Sequence, residues 1–213
     1  MNALLLSITA VIAYFSGCVD TPELCCRWFL HKDLRSYGRG QNRFQVLYQE
    51  EGVLGLVKVY LLDIVKIVLT VLIGGWLLGI RDHALTGRLF ALFCLEMGRM
   101  YPLTHHCVGT LGIKELIIGM LAVDSVAGIM VLLFFGVTLY FTRYLSLSGL
   151  IGALGAVAAS FIFIKGPSSV ALTVIIFVLL LFRHSNHLVR TLQKKEPKMS
   201  PKTDLSYKFD EQF

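Results

Sequence analysis

The sequence predicts an all-α fold, a polytopic membrane helix bundle of seven transmembrane helices, or five if its two weakest apolar stretches do not cross. The amino terminus is predicted outside and the carboxyl terminus in the cytoplasm. Three observations carry this reading. Of 213 residues, 55% are apolar and only 16% charged, against about 25% charged in a soluble domain. Mean hydropathy is +0.69. The charge is also segregated, since between residues 100 and 182 the only Asp, Glu, Lys or Arg side chains are Lys114, Glu115, Asp124, Arg143 and Lys165.

The elements follow in order. The first span is 3–18. The second, 53–80, is long and carries Lys58, Asp63 and Lys66. The third, 85–98, is shorter, and the fourth, 111–123, is interrupted by Lys114 and Glu115; these two are the weak pair. Residues 125–142, 144–164 and 166–182 contain no Asp, Glu, Lys or Arg. Each approaches the roughly 20 residues that cross about 30 Å of hydrocarbon. Residues 1–192 form the membrane domain, and 193–213 form a polar cytoplasmic tail whose prolines and alternating charges predict disorder.

Orientation follows from Lys and Arg, which collect in cytoplasmic loops. Arg27, Lys32, Arg35, Arg39 and Arg43 fall between the first two spans, and Arg183, Arg190, Lys194, Lys195, Lys198, Lys202 and Lys208 in the tail. Placing both inside, with Arg99, Lys114 and Arg143, leaves only Arg81, Arg88 and Lys165 outside. The net charge of +6 therefore reflects membrane topology, and nucleic acid is excluded as a partner in favour of membrane lipids.

The five cysteines show no CxxC spacing, and the histidines show no metal-ligand pattern, so neither a metal nor a cofactor is expected. Phe15, Ser16, Gly17 and Cys18 look like a lipoprotein cleavage site that would lipidate Cys18. A missing basic leader and the spans that follow favour an ordinary first helix.

Three cytoplasmic pieces hold candidate chemistry. In DLRSYGRGQN (33–42), Gly38 and Gly40 lie among Arg35, Arg39 and Arg43. Glycines allow consecutive amides to converge and arginines supply the forks that grip phosphate, although the same loop also suits anionic lipid head groups. GRMYPLTHHCVGTLG (98–112) is a non-periodic polar stretch suited to a re-entrant or site-lining loop, and equally to a simple connection. At the end of the last span, Arg183 and His184 are expected to emerge at the surface as anchors. Within the second span, Asp63 and Lys66 share a helix face and are expected to form a structural ion pair. Ion coupling in a transporter is the weaker reading, since no inverted repeat accompanies the pair.

In order and spacing, these pieces resemble the bacterial acyl-phosphate:glycerol-3-phosphate acyltransferase family, integral membrane enzymes of lysophosphatidic acid synthesis. The resemblance covers about residues 5 to 192 and rests on DLRSYGRGQN (33–42), LLDIVKI (61–67), GRMYP (98–102), RYLSLS (143–148) and FRHSNHLVRTL (182–192). It implies seven membrane helices in the bacterial cell membrane, and direct transfer from acyl phosphate to glycerol 3-phosphate with no covalent acyl-enzyme. It also implies a cytoplasmic cleft lined by Arg35, Gly38, Gly40, Arg99, Gly109, Gly112, Arg143 and Ser146. No catalytic residue is assigned, and the sequence carries no signature of oligomeric state.

The chain departs from the family where phosphate is handled. Arg99 replaces the family's loop histidine, and Cys107, Val108, Gly109, Thr110, Leu111 and Gly112 align with its FKGGKG segment, so both lysines are lost. Asn186 stands where the family often has Glu, and His187 where it has Asn. Each lost charge-assisted hydrogen bond costs about 1.5 to 3 kcal/mol. The expected activity is therefore altered or lost, and the alternative is an inactive membrane paralogue binding lipid, an anionic ligand or a partner enzyme.

Overall fold

A chain in hydrocarbon must satisfy its backbone N–H and C=O groups internally, which leaves the helix as its regular element. The computed structural model describes residues 3–29, 43–80, 83–103, 112–164 and 166–192, and these are helical with short connections and no strand. The helices are α1 (Ala3–Cys18), α2 (Thr21–Phe29), α3 (Arg43–Gly79), α4 (Ala84–Met100), α5 (Ile113–Val123), α6 (Ser125–Thr142), α7 (Leu145–Ala159) and α8 (Pro167–Leu192). A π turn, Ser160–Ile164, continues α7.

Among the described residues, three helices are long and apolar enough to cross a membrane: Ser125–Thr142, Leu145–Ile164 and Pro167–Ser185. They coincide with the three segments free of charged residues. Their outer faces are apolar and bare, as expected of lipid-facing surface, with Tyr140 80%, Phe141 78% and Phe182 70% exposed. Helix α8 runs ten residues past the predicted end of its span, because FRHSNHLVRTL continues the helix.

Two differences from the sequence reading have simple causes. Helix α2 lies inside a charge-rich segment where no span was expected; Pro22 near its start and Glu23 in its first turn suit a helix amino terminus. Helix α3 begins ten residues before the predicted span. Gly52 (φ 66°, ψ −153°) breaks it into two helical pieces, in a conformation only glycine adopts readily, so the membrane piece still starts at residue 53.

The chain divides into two compact units, Met1–Cys18 with Ile67–Met199, and Val19–Lys66 with Ser200–Phe213. In the second unit, Asp63 is 1% exposed and accepts a hydrogen bond of 2.6 Å from Thr21 Oγ1. Lys66 Nζ reaches Asp63 Oδ1 at 2.8 Å and donates to Val19 O and Thr21 Oγ1, each at 3.0 Å. The pair thus ties the start of α2 to α3, which is the structural role the sequence suggested.

In the first unit, small residues let helix backbones touch. A Cβ on Gly17 of α1 would collide with Leu95 O of α4, and one on Gly98 would collide with Tyr14 O. Where solvent is as apolar as the side chains, such close approach supplies the packing that holds helices together. Tyr14 Oη adds a 2.8 Å hydrogen bond to Tyr101 O, and Ser16 Oγ and Thr70 Oγ1 lie 2.7 Å apart. The core around Leu89, Leu92, Leu116, Met120 and Val131 joins α4, α5 and α6. Thr173 Oγ1 bonds Ser160 Oγ at 2.8 Å and links α8 to the π turn.

Gly98→Val and Gly17→Val are expected to lower stability by about 1–3 kcal/mol or more through overpacking. Gly136→Val is expected to be neutral, since nothing lies within 4 Å of its added Cβ. Thermal melting in detergent checks both.

Candidate functional site

The carboxyl end of α4 and the amino end of α5 bring together two of the four described candidate residues, Arg99 and Gly112. Helix α4 stops at Met100, where the Tyr101 N–H donates to Met97 O at 2.9 Å and Pro102 follows. The segment GRMYP is therefore half helix, with Gly98 and Arg99 in the last turn instead of in a loop. Arg99 is only 7% exposed, and its Nε lies 2.9 Å from Glu115 Oε1 on α5. Lys114 Nζ approaches the same oxygen at 3.5 Å.

One turn before Arg99, Glu96 is fully buried. Its carboxyl group packs against Gly112, so closely that a Cβ there would collide with Oε2. Gly112 is left-handed (φ 73°, ψ 1°) as the N-cap of α5. Both the space and the conformation demand glycine. Among the described residues, neither Glu96 oxygen has a hydrogen-bond partner. A helix start after a left-handed glycine presents free N–H groups and suits an anion, and here a carboxyl group of the chain itself lies beside it.

Helix α7 packs onto this corner through Gly149, where a Cβ would press on the Ile113 side chain. Ser146, one turn earlier on the same face, is buried. Arg143 belongs to the α6–α7 turn, where it is left-handed (φ 60°, ψ 14°) and its N–H donates to Leu139 O at 2.9 Å. Its side chain is exposed, and among the described residues no ion pair joins it to Glu96 or Glu115. The structure thus brings Arg99 and Gly112 to one corner, buries Ser146 in the first turn of α7, and leaves Arg143 in an exposed turn. Arg35, Gly38, Gly40 and Gly109 lie outside the described residues, as do His105, His106, Cys107 and the side chains of Asn186 and His187.

Helix α8 corrects one expectation. Arg183 does not simply emerge as an anchor, since its guanidinium carbon lies 5.7 Å from the Tyr101 ring centroid, a cation–π contact. His184 is wholly buried, with Nδ1 2.9 Å from Leu180 O. Arg183 is half-buried against Tyr101 and His184 is fully buried, which a hydropathy profile ending at residue 182 does not reveal. Sequence reasoning also passed over Glu96. A lone carboxyl group inside an apolar stretch is itself a signal of function or pairing.

Cys18 and the helix that carries it are also accounted for. Cys18 is buried, and α1 is locked to α4 through Gly17, so residues 3–18 form part of the bundle.

Comparison with known proteins places this arrangement. The family model for Glycerol-3-phosphate acyltransferase matches residues 7–194. The chain belongs to that family. A glycerol-3-phosphate acyltransferase of Thermoanaerobacter sp. (strain X514) is 27% identical over 198 residues, covering 93% of this chain and 98% of the relative. One of Staphylococcus haemolyticus (strain JCSC1435) is 28% identical, covering 92% and 98%. The crystal structure of PlsY (YgiH), an integral membrane glycerol 3-phosphate acyltransferase in its glycerol 3-phosphate form, superposes with a TM-score of 0.71 at 21% identity, over 92% of this chain and 96% of that one. Its lysophosphatidic acid form gives the same TM-score at 19% identity. The fold of this acyltransferase-family chain is therefore that of an integral membrane protein.

The buried ion pair leads to a direct test. Glu115→Leu leaves Arg99 without this partner and is expected to cost about 3–5 kcal/mol, whereas Arg99→Met with Glu115→Leu recovers most of the loss. A double-mutant cycle on melting temperature measures the coupling.

Proposed function

We propose that this chain is an integral membrane enzyme of phospholipid synthesis, transferring an acyl group from acyl phosphate to glycerol 3-phosphate at the cytoplasmic face of a bacterial plasma membrane. The observation that carries this reading is the family match, which runs through nearly the whole chain, from residue 7 to 194. The proposed topology has seven crossings, with α5 the shortest, the amino terminus outside and the carboxyl terminus inside. Its support is the basic residues at the α4–α5 and α6–α7 connections and after α8.

In the proposed reaction a glycerol hydroxyl oxygen attacks the carbonyl carbon of the acyl phosphate. The carbonyl carbon–oxygen bond to phosphate breaks, and the hydroxyl proton leaves with inorganic phosphate. No side chain forms a covalent intermediate, so the protein acts by holding two phosphate-bearing molecules in line and by stabilising the departing phosphate. Arg35, Gly38, Gly40 and Gly109 are proposed for phosphate binding with Arg99, Gly112 and Ser146, and Arg143 at the rim.

A second reading, a catalytically inactive paralogue that keeps the scaffold for lipid, an anionic ligand or a partner enzyme, is favoured by one observation. Arg99 is paired with Glu115, and Glu96 lies against the start of α5. With the Arg99 charge offset by the Glu115 carboxylate, its attraction for a phosphate dianion is weakened.

Purified protein given acyl phosphate and glycerol 3-phosphate is expected to release inorganic phosphate about 10² to 10⁴ times more slowly than a family member retaining both lysines. In the same assay, Arg35→Ala is expected to lower kcat/KM a further 10- to 100-fold, roughly the loss of one charge-assisted contact. Folded protein that releases no phosphate above a blank at any acyl chain length would overturn the enzyme reading and leave the inactive one. Complementation of a strain lacking the acyltransferase gives an independent check.

A further inference from the structure

At the opposite end of α4 from Arg99, a second feature stands apart from the proposed reaction. A groove of about 490 Å³ runs between the last turns of α3 and the first turns of α4, lined by Leu72, Gly75, Trp76, Gly79, Ile80 and Arg88 among others. That volume falls within the roughly 300–1,000 Å³ usual for small-molecule sites. Its walls are apolar, and Trp76 (71% exposed) and Ile80 (65%) face outward. Such a surface in hydrocarbon is met by acyl chains, and a Trp near a helix end marks the level of the head groups.

Among the described residues, the only charged group in the lining is Arg88. Its position is built. A Cβ on Gly75 would fall 2.6 Å from Arg88 Cγ and 2.9 Å from Nε, so the absence of a side chain at residue 75 lets the arginine lie flat across α3. Nη1 donates at 2.9 Å to Val123 O, the carbonyl at the end of α5. Among the described residues Val123 O is the acceptor found for a guanidinium that carries five donors, and Nε is buried without one. Among the described residues no ion pair joins Arg88 to a carboxylate, and Asp124 Oδ1 caps α6 through the Ala127 N–H at 2.8 Å. A cation at the membrane edge with donors to spare, at the mouth of an apolar groove, calls for an anion that brings its own hydrocarbon.

We infer that this groove binds one acidic glycerophospholipid, its phosphate on Arg88 and an acyl chain along Leu72, Trp76 and Ile80. The site lies in the leaflet opposite the Arg99 end, and it is separate from the proposed reaction. It also accounts for an arginine on the face where basic residues are fewest. The occupant is a bilayer lipid, since free phosphate leaves the apolar wall unmatched.

Trp76 reports on its own groove. The chain has two tryptophans, and Trp28→Phe leaves Trp76 as the single emitter. The full-length variant is reconstituted in bilayers containing brominated-chain phosphatidylglycerol or brominated-chain phosphatidylcholine, and quenching gives their relative binding at Trp76. A preference of about tenfold for phosphatidylglycerol is expected, the worth of one charge-assisted contact, falling to about one in Trp28→Phe with Arg88→Gln. Because Arg88→Gln also removes the Val123 contact and risks folding, Ile80→Glu provides a second variant. It places a carboxylate at the exposed rim, leaves the Val123 contact intact and is expected to abolish the preference as well. Equal quenching by the two lipids in the parent overturns the inference. So does a preference that survives either substitution in folded protein.

Discussion

In hydrocarbon there is no water to satisfy a peptide group or to solvate a charge, and the polar parts of this chain are arranged around that shortage. Its clearest expression is the Arg99–Glu115 contact. An arginine 7% exposed at the end of an apolar helix persists only with an anion beside it, and α5 supplies one at 2.9 Å. That requirement fixes how α4 and α5 meet. The corner then needs a residue without a side chain at 112, because Glu96 fills the space, and a second at 149, where α7 presses on Ile113. Ser146 takes its place from that packing.

The same shortage governs helix association. Leu and Ile gain little by leaving lipid for protein, so adhesion depends on close backbone approach and on hydroxyl bonds. The Gly17–Gly98 crossing and the Tyr14 and Thr173 hydrogen bonds serve this purpose. By anchoring α1 to the last turn of α4, the crossing also holds Arg99 and Tyr101 in place, and Arg183 of α8 stacks on the latter. The end of α4 is thus held by α1, α5 and α8 at once.

The charge balance at that end bears directly on the proposed reaction. The lysines expected of a phosphate-handling loop are absent, and the cations that remain share their space with Glu96 and Glu115. On electrostatic grounds this balance supports the proposal that phosphate is held less tightly here. The scaffold and the charge distribution thus bear separately on the proposed acyl transfer.

Much of the fold was legible in the chain itself. Segments without charged residues can only be buried or face lipid, so 125–142, 144–164 and 166–182 announced α6, α7 with its π turn, and α8; Asp63 and Lys66, three apart on one helix, announced their own pairing. Helix α2 was hidden, because nine residues in a charged segment give no hydropathy signal. The family motifs, being local, were legible too. What the sequence left open was which charges meet. Glu96 and Arg99 are one turn apart on α4, but Glu115 and Gly112 belong to another helix, and His184 is fully buried although charge returns to the chain at residue 183. Hydropathy and spacing report on neighbours along one helix, whereas the partner of a buried charge is chosen by how helices cross, and that was decided only by the tertiary structure.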